Sequence, residues 1–285
     1  MKFDRLRNFV GNALASVGSI IKVVVMSKVP SSPEKEENGK EIVIMGNGPS
    51  MRKTIDEERN WLESHNLMAV NFAAVTPDFF QLRPAYYLMA DPVFFNSADV
   101  NNNVKTLWSN LENASWPITL LVPTKFSHLV KPLIMNSNEI KLRTFNLTPI
   151  EGFGWLKKML FKAGLGMPRP RNVLIPAIME SIRMGFSKIY ICGADHNWLK
   201  TLEVDEDNSV VSVQPHFYKD NEEEKVRVKD AYKGLKLHNV LESMTIAFRS
   251  YWEIRAYADS RQVEVINITP GSMIDAFKRK ERKNH

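Results

Sequence analysis

Residues 46–50, Gly-Asn-Gly-Pro-Ser, stand between a short apolar run and helical sequence. A buried parallel strand that leads through glycine into a helix brings free N–H groups and a positive dipole end together, which suits phosphate. Proline and serine fit the first turn and the cap of a helix. An ordinary tight turn explains the same residues, and the spacing matches neither the dinucleotide fingerprint nor the P-loop. The candidate phosphate-binding residues are Gly46, Asn47, Gly48, Pro49 and Ser50.

Residues 193–197, Gly-Ala-Asp-His-Asn, end a second apolar run. The carboxylate of Asp195 can accept hydrogen bonds from sugar or ribose hydroxyls, hold a metal ion, or cap a neighbouring loop or helix. His196 either lines a site or fills the turn. The candidate set at this strand end is Gly193, Ala194, Asp195, His196 and Asn197.

His216 lies in a polar segment downstream, where a histidine that titrates near neutral pH can take a proton from an incoming hydroxyl. The alternative is a surface histidine. No HExxH pattern and no G-x-S-x-G elbow occur, and the acidic run at 203–207 reads as a solvated loop. We therefore predict no metal site and no nucleophilic hydrolase.

Strand-like and helical segments alternate along the chain. This alternation predicts right-handed βαβ units and an α/β fold, a Rossmann-like, mainly parallel sheet flanked by helices in a single catalytic domain. Predicted strands lie at 41–45, 67–73, 85–92, 118–123, 141–147, 188–198 and 263–269. Predicted helices lie at 52–65, 102–112, 172–186 and 226–260, with a closing helix from Ser272.

Ligands of such sheets bind at the carboxyl ends of the strands, near a switch in strand order. That rule brings the two glycine-containing strand ends to one edge of the sheet. It adds Asn71 and Asp91, which follow the second and third predicted strands, and the turn at 269–272. The sequence therefore predicts a polar site at this edge.

Composition limits the class of protein. A chain of 285 residues that is 44% hydrophobic can bury the core of one large domain or two small ones. The lone Cys192 excludes an intramolecular disulfide and a cysteine-based metal cluster, and it fits a reducing compartment.

The net charge of +6 is confined to the two ends of the chain. Residues 1–28 carry a net charge of +4 and residues 278–285 carry another +4, so the body between them is slightly acidic. A basic body that could wrap a nucleic acid is not indicated, and no nucleic-acid partner is expected.

Residues 9–26 are largely apolar, are interrupted by asparagine, serine and lysine, and follow a basic flank. Residues 1–30 therefore predict an amphipathic helix that either associates with an anionic membrane surface or docks on the fold. Residues 31–40 form a polar linker, and 41–285 form the catalytic domain with a lid at about 199–225 and a basic tail. Without an evident cleavable signal, we expect a cytoplasmic protein, peripheral on the inner face of the bacterial membrane.

Five segments together resemble the bacterial sialyltransferases of the lipooligosaccharide type. They also look like the related domain of motility accessory factors and of archaeal hydroxymethylpterin pyrophosphokinases. The resemblance covers about residues 41–278 and rests on IVIMGNGPSM, AVNFA, AYYLMADPVFF, NVLIPAIMESIRMGFSKIYICGADHNW and ITPGSMIDAF.

This resemblance implies roles for individual residues. Asn47, Gly48 and Asn71 would contact the nucleotide phosphate and the donor, Gly193 and Asp195 the ribose and base, and His216 would be the general base. The turn before the last helix would line the nucleotide site through Pro270, Gly271 and Ser272. Two departures concern the donor: His196-Asn197-Trp198 replaces tyrosines that assist the leaving phosphate, and Asn172-Val173 replaces a Thr-Ser pair.

The resemblance implies a metal-independent glycosyltransferase that moves a sugar from a nucleotide sugar, with a CMP-linked nonulosonate the expected donor. The acceptor would be a bacterial surface glycan or glycolipid, such as lipopolysaccharide. No cofactor besides the donor is expected, and a homo-oligomer is compatible with the sequence. An ATP-dependent pyrophosphokinase-like enzyme and a non-catalytic, nucleotide-binding scaffold of envelope assembly remain the alternatives.

Overall fold

A parallel sheet of eight strands, in the order β10-β9-β6-β1-β2-β3-β4-β5, forms the centre of the molecule. The computed structural model describes residues 2–31, 37, 39–96, 101–212 and 233–279. The strands of the sheet are β1 Glu41–Met45, β2 Asn66–Val70, β3 Tyr86–Leu88, β4 Ile118–Pro123, β5 Ile140–Phe145, β6 Lys188–Cys192, β9 Glu264–Asn267 and β10 Lys278–Arg279. A separate antiparallel hairpin consists of β7 Glu203–Val204 and β8 Val210–Val211.

Helices cover both faces of this sheet, and each face carries its own apolar core. One core contains α7, α8 and α9, and the other contains α2 to α5. The helices are α1 Lys2–Met26, α2 Ser50–Glu63, α3 Pro77–Leu82, α4 Val93–Asn96, α5 Asn102–Glu112, α6 Ser127–Val130, α7 Gly154–Lys162, α8 Leu174–Met184 and α9 Leu237–Ser260. The prediction of a Rossmann-like α/β fold is confirmed.

The strand order reverses between β1 and β6. After β1 the chain builds β2 to β5 outward on one side, and it then returns to place β6 against the other edge of β1. The loops that leave neighbouring strands on the two sides of such a reversal diverge and leave a crevice between them. The structure therefore has its crevice where the two predicted glycine-containing strand ends meet.

Backbone contacts between these two strand ends are unusually close. The N–H of Gly46 donates to Cys192 O at 2.8 Å, and the N–H of Gly48 donates to Gly193 O at 2.8 Å. A Cβ on Gly46 would collide with the carbonyl oxygen of Gly193, and a Cβ on Gly193 would collide with that of Gly46. Gly193 also has a positive φ of 62°. Glycine is required at both positions because the two main chains touch.

The N-terminal helix lies against the body through its polar side. Ser19 is fully buried, and its hydroxyl donates to Glu151 O at 3.0 Å and accepts from Glu151 N at 2.8 Å. Ser16 Oγ accepts from Phe153 N at 3.0 Å, and Ser27 Oγ donates to Leu165 O at 2.6 Å. The apolar residues of α1 face outward instead.

Several predicted elements differ in the structure. The strand predicted over 67–73 ends at Val70 and is followed by a 3-10 helix, Asn71–Val75, and the strand predicted over 85–92 ends at Leu88. The closing helix expected from Ser272 is wrong: residues 272–277 are not helical and lead into β10. Ser272 Oγ accepts from Ile274 N at 3.2 Å, while Ile274 and Phe277 insert into the core. The strand predicted over 188–198 ends at Cys192, because the chain turns at Gly193.

Gly193→Ala tests the backbone contact at the switch in strand order. We expect a loss of about 3 kcal/mol in the free energy of unfolding, since a left-handed alanine costs 1–2 kcal/mol and the added methyl group overpacks the contact. Gly154→Ala is the matched control because an added Cβ there meets nothing within 4 Å. Urea unfolding of both variants measures the difference, and equal stability of the two would contradict the contact.

Candidate functional site

A cleft of about 770 Å³ opens at the carboxyl ends of β1, β2, β3 and β6. It lies at the switch in strand order, where ligands of this sheet class bind. Most of the residues selected from the sequence line it, namely Gly46, Asn47, Gly48, Pro49, Asn71, Asp91, Asn172, Gly193, Asp195, His196 and Asn197.

The remaining candidates within the described residues do not line the cleft. The hydroxyl of Ser272 donates to Ala194 O at 2.7 Å, and the N–H of Met273 donates to Asp195 O at 3.0 Å. These bonds fix the end of β6 from its rear side. Ala194 and Ser272 are buried, Pro270 and Gly271 are exposed, and Ser50 is the first residue of α2.

Asp195 joins the end of β6 to the N-terminus of α2. Its Oδ2 accepts from Ser50 Oγ at 2.8 Å and from Ser50 N at 3.4 Å. The structure thus has the helix-capping carboxylate that the sequence left as an alternative, and the expectation that Ser50 itself caps α2 is wrong. Pro49 occupies the cap position and offers no side-chain acceptor, so the carboxylate supplies it. Among the described residues nothing donates to Asp195 Oδ1, which leaves this oxygen available to a ligand in the cleft.

A buried hydrogen-bond chain crosses the cleft wall from β6 to α8. Asn172 Oδ1 accepts from Leu174 N at 3.1 Å and from Tyr251 Oη at 2.9 Å. Because the Tyr251 hydroxyl proton is committed to Asn172, Nε2 of His196 must donate to Tyr251 Oη, 2.7 Å away. His196 is therefore the neutral tautomer with its proton on Nε2.

The protonation of His196 is governed by burial. Burial lowers the pKa of this imidazole to about 3, because a charged ring would lose its hydration without gaining a partner of opposite charge. The ring also lies on Trp198, with centroids 4.3 Å apart. A base with so low a pKa takes up a proton poorly at neutral pH, so His196 serves as a rigid part of the wall.

Two asparagines of the cleft carry buried polar atoms without a hydrogen-bond partner among the described residues, Asn71 Oδ1 and Asn172 Nδ2. Asn71 is held in a left-handed conformation, with φ of 50°, and its carbonyl accepts from Tyr87 Oη. A buried polar atom left unpaired costs about 1–3 kcal/mol, which a ligand hydrogen bond would recover. The cleft therefore offers one acceptor and one donor for a polar ligand.

Sequence reasoning missed the cations and the aromatic rings of the cleft. Lys125 and Arg171 are exposed and line it, and no ion pair within the described residues engages either side chain. Lys125 follows the carboxyl end of β4 directly, so the strand-end rule could have found it. Arg171 carried no such signal, because it lies in the segment before α8 and does not follow a strand. The missed rings are those of Phe72, Phe94 and Trp198.

Asp91 is exposed at the rim, where its Oδ1 accepts from Val93 N at 3.0 Å. His216 lies outside the described residues. The acidic run at 203–207, interpreted as a solvated loop, is exposed throughout: residues 203–204 form β7, and residues 205–207 begin the turn to β8. No three His, Cys, Asp or Glu side chains within the described part of the chain come together in a geometry that could hold a metal ion.

The site thus combines a backbone floor without side chains, two cations and hydrogen-bonding amides in one crevice. Such an arrangement can bind an anionic, polar ligand with an aromatic or sugar portion. The fold that carries it is a Rossmann-like α/β fold with a parallel sheet.

The chain is similar in fold to the MAf glycosyltransferase from Magnetospirillum magneticum AMB-1, with a TM-score of 0.51 and 10% sequence identity. The similarity covers 91% of this chain and 37% of that one, so this chain spans little more than a third of the larger protein. No model of a known protein family matches the sequence, and no curated protein matches it.

The stability of the protein should depend on pH through His196. Its pKa is about 3 in the folded protein and 6.5 in an unfolded chain, so between these values only the unfolded chain binds the proton. The free energy of unfolding should therefore fall as pH decreases through this window, by up to about 1.4 kcal/mol per pH unit, with no contribution above pH 6.5. Denaturant unfolding at several pH values measures this slope.

His196→Gln should show a shallower slope below pH 6.5, whereas His128→Gln should not, because His128 is exposed. Parallel profiles of wild type and His196→Gln across this window would contradict a buried neutral imidazole.

Proposed function

We propose that the protein is a metal-independent glycosyltransferase that moves a sugar from a nucleotide-activated donor to a bacterial surface glycan or glycolipid. A CMP-linked nonulosonate is the donor that the sequence resemblance favours. The observation that carries the proposal is the polar cleft at the switch in strand order. The likeness to a glycosyltransferase fold supports it at the level of fold.

The phosphate of the donor would lie at the turn between β1 and α2. Gly46 and Gly48 carry no side chain there, so a phosphate can approach the main chain closely, beside the N-terminus of α2 that Asp195 caps. Lys125 and Arg171 line the same cleft and can neutralise the negative charge that grows on a departing nucleotide. Preorganised donors of this kind commonly contribute about 3 kcal/mol each to lowering a barrier.

The nucleoside and the sugar would meet the polar groups of the opposite wall. Asp195 Oδ1 can accept from a hydroxyl, as ribose recognition requires, while Asp195 Oδ2 stays on Ser50. Asn172 Nδ2 offers a donor and Asn71 Oδ1 an acceptor. Trp198 presents a ring against which a base or a sugar face can lie.

The general base is assigned to His216 by the resemblance. The pKa of about 3 for His196 supports this assignment, since the nearest alternative histidine holds its lone pair too weakly for proton abstraction at neutral pH. His216 would accept the proton of the acceptor hydroxyl while the nucleotide leaves from the anomeric carbon.

The protein would work at a membrane surface through α1. Residues Asp4–Met26 are long and apolar enough to cross a membrane by length and composition. Ser16, Ser19 and Ser27 bind the body along the same helix, however, so only the outward face is free to meet lipid. A peripheral attachment on that face fits both observations.

A thermal-shift screen tests the donor class. Cytidine nucleotides should raise the melting temperature more than uridine, guanosine or adenosine nucleotides, because a ligand at about 100 times its Kd stabilises by about 2.7 kcal/mol. Lys125→Ala and Arg171→Ala should each weaken CMP binding by about tenfold, as loss of a charged hydrogen bond predicts. Lys131→Ala is the control, since this exposed lysine is not among the cleft-lining residues. A preference for ATP with Mg²⁺ would favour the pyrophosphokinase alternative, and no response would favour a scaffold.

Turnover measurements test the base and the absence of a metal requirement. His216→Ala should lower turnover by roughly 10²–10⁴-fold, because general-base catalysis contributes about that much. EDTA should leave the rate unchanged, and His128→Ala should behave as wild type. Strict dependence on Mg²⁺ or Mn²⁺, or full activity of His216→Ala, would contradict the mechanism.

A further inference from the structure

The outward face of α1 is apolar over most of its length. Its exposed side chains include Leu6, Phe9, Val10, Leu14, Val17, Ile20, Ile21, Val24 and Val25. At 100° per residue these positions cover roughly 160° of the helix circumference. A two-helix coiled-coil seam needs only a narrow stripe, whereas a helix lying in a membrane interface presents a broad one.

The segments on either side of α7 contact the N-terminal segment of the chain. Phe153, directly before α7, contacts the ring of Phe9 with centroids 5.4 Å apart and donates its N–H to Ser16 Oγ. Leu165, shortly after α7, accepts from Ser27 Oγ. The nine residues of α7 therefore lie between two anchor points, one at Ser16 in α1 and one at Ser27, directly after α1.

The outer face of α7 combines two apolar and two basic side chains. Trp155 is 67% exposed and Met159 is 53% exposed, one turn apart. Lys158 and Lys162 are exposed on the same helix, and no ion pair within the described residues engages them. The inner face holds Leu156, Leu160 and Phe161 in the core, so the exposed residues are not needed to pack the fold.

We propose that Trp155, Lys158, Met159 and Lys162 form a second lipid-contacting element, and that the α1–α7 surface binds an anionic bilayer. Tryptophan prefers the headgroup level because its ring is apolar and its N–H is polar, and lysine binds anionic headgroups. The charges fit this occupant. Residues 5–33 contain no Asp or Glu, and neither does α7. A second copy on this surface would bring like charges together, whereas an anionic bilayer is complementary to them.

A single chain segment connects this surface with the cleft. Residues 146–153 bind α1, and Leu147 within that segment lines the cleft. Arg169 binds Glu151 through two hydrogen bonds of 3.0 Å, and the cleft-lining Pro170 and Arg171 follow it directly. Resting on the proposed glycosyl transfer, the inference adds that the acceptor is carried by a lipid, since the bilayer would hold it beside this wall.

Co-sedimentation with vesicles tests the surface, using full-length protein and equimolar phosphatidylcholine and phosphatidylglycerol. Lys158→Ala/Lys162→Ala should weaken binding by roughly 30-fold, at about 1 kcal/mol per basic residue near the surface. Trp155→Ala/Met159→Ala should weaken it by about tenfold or more, through loss of buried apolar area. The matched controls, Lys105→Ala/Lys131→Ala and Trp252→Ala/Met135→Ala, remove exposed residues elsewhere and should bind as wild type.

A second measurement does not depend on the stability of the double variants. Brominated lipids in the same vesicles should quench part of the tryptophan fluorescence, and Trp155→Phe should lose that part while Trp252→Phe keeps it. Unchanged quenching in Trp155→Phe, or wild-type binding by both α7 double variants, would overturn the α7 proposal.

Further outcomes distinguish lipid contact by α7 from attachment through α1 only and from self-association. If Val17→Asn/Ile21→Asn loses binding while both α7 double variants bind as wild type, α1 is the attachment and the α7 proposal is rejected. A dimer in light scattering that dissociates in the α7 variants would assign the surface to a second copy and reject the bilayer. The nucleotide screen needs no lipid, so glycosyl transfer stands or fails independently.

Discussion

The contact between the main chains of Gly46 and Gly193 determines the rest of the site. Strands β1 and β6 are paired up to Met45 and Cys192, and two further hydrogen bonds of 2.8 Å carry the pairing into the loops. Any side chain at either glycine would push the loops apart. Because this floor consists of backbone alone, a ligand can approach the main chain more closely than side chains would allow. The switch in strand order creates a crevice, and the two glycines keep its floor free of side chains.

Around that floor, Asp195, His196 and Asn172 are each held by hydrogen bonds to neighbouring elements. Asp195 is fixed by the N-terminus of α2, and the end of β6 is fixed by Ser272 from the rear. His196, Tyr251 and Asn172 hold one another across the wall, and Asn172 is also held by the backbone of α8. A site organised in this way loses little conformational freedom when a ligand binds, which favours affinity and the stabilisation of developing charge.

The sequence allowed prediction of the sheet and of most cleft residues, because both follow from local rules. Apolar runs that stop at glycine, asparagine or aspartate mark the carboxyl ends of buried strands wherever the strands later pair. The closing helix failed because Ile274 and Phe277 are required in the core, and a tertiary demand overrides helical spacing. The hydrogen-bond chain through Tyr251 could not be predicted, since it joins residues 55 and 79 positions apart. Helix α7 was missed although Leu156, Leu160 and Phe161 recur at helical spacing on its buried side.

The orientation of α1 is opposite to the one that its amphipathicity alone predicts. A helix that packs on a soluble body normally buries its apolar face. Here serines form the buried side, and each satisfies its hydroxyl with a backbone group of the body. Directional bonds of this kind fix the rotation of the helix about its axis, so its apolar face points outward in one direction only. The segments that receive these bonds also lead into the cleft wall. A surface that contacts the outward face of α1 is therefore held at a fixed angle to the cleft. The serine hydrogen bonds, more than the apolar face, determine that angle.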